Sequence, residues 1–306
     1  MRRSPTRAKP SPAAVEAAHL NLDAAWAVVG FALAESLRRR VFAIVVALTV
    51  LFLALYGVGA HFAFEQTGQL GAFSEGRVDE LTITGSTVLG LAMFGTLFLG
   101  AVLAVFLTIG VVRGDAETGL LQPLVVRPLG RGTMLASRFA GAAVAAAVYV
   151  LVVYAIAVLL TWLTGDWTPD NVVAPGLALA LAVIVLAALS VLISVFVSST
   201  AQGIAVFMIF GAGLVAGLLG QIGEALGSHT LKRIAEVASY AVPFEALYQQ
   251  GLYLLTSAHA GLTGAVVQLG PFGGAHHAGG WLLVYSLAYA AAAVALAIVG
   301  FSRRDL

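Results

Sequence analysis

Six stretches of this chain, at about residues 41–60, 87–112, 139–163, 172–197, 201–220 and 281–301, contain no Asp, Glu, Lys or Arg. Each reaches the ~20 apolar residues with which a helix crosses roughly 30 Å of hydrocarbon. Inside hydrocarbon a backbone amide finds no water, so such segments must satisfy their own hydrogen bonds as helices. Composition agrees: 60% of residues are hydrophobic and 10% charged, and mean hydropathy is +0.97. A water-soluble fold cannot hide that much apolar surface. The expected fold is therefore all-α, a polytopic membrane protein with six transmembrane helices.

The connections differ in length. Residues 61–86 and 221–280 form long ones and 113–138 an intermediate, arginine-dense one, whereas 164–171 and 198–200 are short and imply antiparallel neighbours. Residues 1–13 are basic, contain proline and lack periodicity, and read as a disordered tail. Over 14–40, Leu22, Trp26, Val29 and Leu33 recur at helical spacing ahead of Arg38, Arg39 and Arg40. That stripe fits an amphipathic helix in the membrane interface, with an extension of the first span as the alternative. The first 40 residues lack the pattern of a cleaved signal peptide, so the first span is the expected targeting signal. With the N-terminus inside, thirteen of the sixteen Lys and Arg fall on the inner face, and the outer face keeps Arg77, Lys232 and Arg233 with nine of the fifteen acids. Positive residues stay inside. Both termini, including 302–306, are expected in the cytosol, and the chain in the cell (inner or plasma) membrane.

Several chemistries are excluded. No span, so bounded, contains an acid or a histidine, which ion-coupled transporters usually bury near mid-membrane. There is no H-E-x-x-H cluster and no G-x-x-x-x-G-K-[ST] phosphate loop. Cysteine is absent, which removes thiol catalysis and thiolate metal sites. His61, His229, His259, His276 and His277 fall on the outer side without metal-ligand spacing, so no metal is expected. Net charge is +1 and no basic run is interleaved with aromatics, so nucleic acid is not an expected partner. No enzyme activity is expected in this chain, and energy for active transport must enter from another.

The connection after the second span is the most informative segment. Leu120, Leu121, Leu124 and Val125 are too apolar for a solvated loop, and Arg113, Arg127 and Arg131 surround them as a polar rim. Such a segment has the character of a docking surface, with an amphipathic loop lying on the membrane as the alternative. Asp115 and Glu117 also suit the positive end of a short helix. This segment resembles the permease subunits of type-2 ATP-binding cassette (ABC) exporters, near the branch of the nitrous oxide reductase maturation permease. Their pattern runs acid-x-acid-x-Gly-Thr-Leu-x-x-Leu-x-x-(Arg/Lys)-Pro-(Leu/Val)-x-Arg. Here Asp115 and Glu117 fill the acids, Gly119 the glycine, Leu121 and Leu124 the leucines, and Arg127, Pro128 and Arg131 the tail. Asp115 replaces the usual glutamate and Leu120 the common threonine. Six spans, the interfacial helix, the Ser198, Ser199 and Thr200 link and Val242 to Glu245 before the last span extend the resemblance more weakly along the chain.

The resemblance implies a coupling helix seated in a separate ABC ATPase, two ATPase copies serving a homodimer of permeases, and ATP and Mg bound in that partner rather than here. Spans two and five would then line the path, with Thr87, Phe94, Phe106, Phe207 and Phe210. Such a lining suits a lipid-like or amphipathic cargo better than a bare ion. Gly213 and Gly217 form a G-x-x-x-G spacing that suits close helix packing, such as a dimer seam. Two short helices are expected near 231–241 and 244–256, separated by Pro243, where Pro243, Phe244 and Glu245 would gate the outer end or form a passive lid. A secondary transporter or channel, and a non-transporting assembly protein, are the competing readings. Membrane lipids surround any of them, and an accessory subunit stays open.

Overall fold

The computed structural model describes residues 40–70, 80–109, 131–255 and 279–303. Among these, the chain forms eight helices: α1 (Arg40–Leu70), α2 (Glu80–Thr108), α3 (Arg131–Gly165), α4 (Val173–Phe196), α5 (Ser199–Ala225), α6 (His229–Ala241), α7 (Phe244–Leu255) and α8 (Trp281–Ser302). Six are long and apolar enough to cross a membrane: Phe42–Thr67, Glu80–Thr108, Gly132–Gly165, Val173–Phe196, Ser199–Glu224 and Trp281–Ser302. The all-α polytopic expectation holds. The interfacial helix expected at 14–40 and the coupling residues from Arg113 to Pro128 lie outside the described residues, and Arg131 opens α3.

The helices outrun the uncharged windows, which corrects the expectation that no span holds an acid or a histidine. His61 and Glu65 lie on α1, Glu80 opens α2, and Glu224 lies in the last turn of α5. All four sit near helix ends, where a polar side chain reaches interfacial water along its own stem.

The bundle has two ends. α1 and α3 finish and α2 and α4 start at one, here called distal; residues 110–130 leave from the other, proximal end. α4 is the central post: 78% of its apolar window is buried, against 17% for α1 at the periphery. Its small side chains, Ala178, Ala182, Ala187 and Ala188, are almost fully buried and let α2, α3, α7 and α8 pack around it. A helix apolar on all sides belongs in such a position. At its start, Asn171 Oδ1 accepts a hydrogen bond from the Ala174 N–H at 3.1 Å, covering a donor that the first turn leaves open. Polar side chains tie neighbours together: Thr49 with Tyr149 and Tyr56 with Thr161 join α1 to α3, and Trp167 Nε1 donates to Thr82 at 3.3 Å beside α2.

α6 and α7 form a hairpin that turns back inside the distal half. α6 runs along α5, where a Cβ added at Gly223 would lie 2.9 Å from the Lys232 backbone nitrogen. Val242 and Pro243 break the helix, because proline offers no N–H and clashes with the preceding turn. α7 then climbs along α4 to the distal end, where the Asp170 N–H donates to the Leu255 carbonyl at 3.1 Å. The last carbonyls of α6 are covered by α8: Tyr285 donates to Tyr240 and Tyr289 to Ala241. The two short helices separated by Pro243 match the sequence reading, but their place differs from a cap over an exit. α7 buries Phe244, Glu245, Leu247, Tyr248, Gln249, Gln250, Gly251 and Leu255 inside the bundle.

Candidate functional site

The hairpin is seated by glycine. A Cβ at Gly213 would lie 2.7 Å from the Phe244 ring, and one at Gly217 would overlap Glu245 Oε1. At Gly213 the neighbour is a fully buried ring, so a side chain there would push α7 off α5; at Gly217 the neighbours are the ends of the Glu245 and Gln249 side chains, which would have to swing into the cavity. One turn below Gly213 the rings of Phe210 and Phe244 stack at 5.1 Å, with Phe98 6.1 Å from Phe210. Tyr248 meets the edge of Phe94 and its hydroxyl donates to the Gly90 carbonyl at 3.3 Å, tying α7 to α2.

Three polar stripes converge beside this seam. α5 offers Gly217, Gly220, Gln221 and Glu224, and α6 offers Lys232, Ala235, Glu236 and Ser239; both sets recur at positions i, i+3, i+4 and i+7, one face of a helix. α7 adds Glu245, Ala246 and Gln249, and together they line a cavity of about 370 Å³. Glu245 is 7% exposed, and among the described residues its hydrogen-bond donor is Gln249, one turn along the same helix. Burial pushes its carboxyl up to about 7, with the Gln249 bond acting the other way. Gly217 lies eight residues from the end of α5, which at ~1.5 Å per residue sets this carboxyl about 12 Å below the distal end of that helix.

A second polar feature lies at the proximal end. The Gln202 side chain, 1% exposed, reaches the Thr108 carbonyl at 3.3 Å, the Ser190 carbonyl at 3.1 Å and the Ser190 hydroxyl at 3.0 Å. Thr108 and Ser190 hydroxyls meet at 2.7 Å. α2, α4 and α5 are joined at this node, immediately before residues 110–130 depart.

A family model described as ABC-2 family transporter protein matches residues 26–306. The chain belongs to the ABC-2 transporter family. No curated protein matches it closely enough to count as a relative. An ABC-2 permease is the membrane subunit of an ABC transporter, and members of the family generally work with an ABC ATPase.

In this ABC-2 permease the residues expected to line a path separate into two groups. Phe94 and Phe210 are engaged by Tyr248 and Phe244 of α7, and Phe210 is 4% exposed, so both are packed against the hairpin. Phe106 and Phe207 line a shallow apolar groove between α2 and α5 with Val105, Ile109, Gly203 and Met208. Thr87 is half-buried on α2, outside both groups. Gly213 and Gly217 make their close approach to the chain's own α7, which fills the face that a seam with a second copy would use. Pro243, Phe244 and Glu245 are brought together with these glycines, at the buried turn of the hairpin. Sequence reasoning passed over Thr108, Ser190 and Gln202, although a lone glutamine in an uncharged span was a readable signal. It also passed over Gln249 and the polar stripes of α5 and α6, whose helical spacing was visible once α5 was allowed to run past 220.

Proposed function

We propose that this ABC-2 permease exports a lipid-like or amphipathic molecule as a homodimer driven by two copies of a separate ABC ATPase, with Arg113, Asp115, Glu117, Gly119, Leu120, Leu121, Leu124, Arg127, Pro128 and Arg131 forming the segment that the ATPase moves. ATP and Mg bind in that partner. The proximal end is cytosolic, as the Lys and Arg count favours, and the membrane is the cell's inner or plasma membrane.

The observation that carries this reading is the Thr108, Ser190 and Gln202 node. It stands at the root of the coupling segment and joins three helices, so a push on that segment reaches α2, α4 and α5 together. α4 and α5 in turn carry the hairpin, which gives the proximal end a packed route to the distal one. Buried leucines supply most of the affinity for a partner, while arginines and carboxylates at the rim set register.

Co-purification of the ATPase with the permease tests the proposal. Glu117→Ala and Arg127→Ala should each weaken the complex and lower permease-stimulated ATP hydrolysis by about tenfold or more, as loss of a ~1.4 kcal/mol contact predicts. A complex that forms and hydrolyses ATP equally well with both variants would contradict it.

The buried Glu245 favours a second reading, in which a proton gradient drives transport, since an acid inside a bundle commonly marks a proton path. Transport that persists after ATP depletion and ends with Glu245→Gln would select that reading instead.

A further inference from the structure

The cavity between α5, α6 and α7 is built for something other than water-filled slack. Among the described residues its lining holds the buried carboxyl of Glu245, with Glu224, Glu236 and Lys232 toward its rim and Gln221, Gln249 and Ser239 as hydrogen-bonding groups. Glu245 is more than nine-tenths buried, and only its Oε1 receives a hydrogen bond from a described residue. The second oxygen, Oε2, is not sealed in the protein and opens to the cavity that Glu245 lines, where an ionised carboxylate with about four lone-pair sites can accept hydrogen bonds from a bound group. The space argues for more than a bare ion: about 370 Å³ lies in the range of small-molecule sites, whereas one water fills ~30 Å³. Beside the polar stripe of α6, Ile234, Val237 and Tyr240 stay exposed, as do Leu218 and Ile222 of α5. An apolar tail leaving the cavity meets surface of its own kind.

We propose that this cavity is a subsite for a monovalent cationic headgroup, an ammonium carried on an amphiphile, with Glu245 as its counter-charge and Gln249, Gln221 and Ser239 as hydrogen-bonding partners. The proposal rests on the export reading above and narrows its cargo from amphipathic molecules to cationic amphiphiles. Binding requires the Glu245 carboxylate, whose titratable neighbours in the cavity lining are Glu224 on α5 and Lys232 and Glu236 on α6; Tyr248 lies beside it on α7 outside that lining, α4 carries no titratable side chain, α2 carries only Glu80 at its start, and α8 presents Tyr285 and Tyr289 to the end of α6. Burial holds the proton on Glu245 to about neutral pH, so the site should strengthen as pH rises through 7.

The test uses the full-length permease in lipid nanodiscs at pH 8, followed by thermal unfolding during titration with decylammonium, decanol, decyl sulfate or sodium chloride. Only decylammonium should raise the unfolding temperature in a saturable way, and the apparent affinity should fall at least tenfold in Glu245→Gln and at least threefold at pH 6. Glu236→Gln, on the exposed face of α6, should weaken binding in the same direction if Glu245→Gln fails to fold. Equal shifts from decanol or decyl sulfate, a shift from sodium chloride alone, or undiminished binding in both variants would overturn the proposal. The measurement needs no ATPase, so failure of this site and failure of the ATPase to associate are read separately.

Discussion

At the scale of single residues, Gly217 and Glu245 define each other. The carboxyl occupies the space that any side chain at 217 would need, and the Phe244 ring does the same at Gly213. Gly213→Val should therefore cost about 1–3 kcal/mol through overpacking against the buried Phe244 ring, read as a lower unfolding temperature and faster proteolysis of the hairpin. A variant as stable as the parent would mean that α7 does not rest there. Glu245 also gives stability a pH dependence of known sign. Its carboxyl keeps a proton in the folded chain between about 4.5 and about 7, where an unfolded carboxyl has lost it. The folded state binds more protons in that window, so stability should fall as pH rises through it and level off on either side. Glu245→Gln should remove that slope, and a slope that survives the substitution would assign it elsewhere. The sequence singled out Glu245 at the proline break and the Gly213 and Gly217 spacing, but as an outer gate and a dimer seam; that they meet one another was not legible in it, because nothing in the spacing says which helix a glycine face receives.

At the scale of elements, the six spans were legible because hydrocarbon tolerates so few charges that uncharged windows mark its thickness. Their ends were not. Glu80, Glu65 and Glu224 lie on helices that continue past the window, since hydrogen bonding along the backbone does not stop where the side chains turn polar. α6 and α7 were legible as short helices from Pro243, yet their location was hidden. Gln249, Gln250 and Glu245 suggest solvent, and they are buried because α7 packs chiefly along α4, with α5 closing over Glu245 and Gln249 at Gly217. The proximal node makes the strongest element-level prediction. Gln202→Leu removes the amide that reaches Ser190 and Thr108, and interhelical hydrogen bonds in membranes average ~0.6 kcal/mol with a maximum near 1.7. The chain should lose about 1–2 kcal/mol of stability, and ATP hydrolysis in the complex should persist while transport declines. Equal loss of both activities would make the node a structural contact only.

At the scale of the whole molecule, a central α4, a glycine-seated distal hairpin and a proximal node form one packed column between the two membrane faces. The proposed coupling segment rests on its leucines and arginines; up to residue 130 it lies outside the described residues, so its proposed role depends on the family and on the node beside it. The natural absence of cysteine makes single-cysteine labelling clean. Glu236→Cys should react with an impermeant maleimide from outside the cell, and a cysteine at Arg304 only after permeabilisation; the reverse pattern would invert the topology.

The most direct measurement places one cysteine at Leu121 and asks whether it cross-links to the ATPase in native membranes. A cross-link whose yield changes with nucleotide, and which Arg127→Ala reduces, is the predicted result. A Leu121→Cys side chain that labels freely with the ATPase present, and forms no cross-link to it, would contradict coupling through this segment.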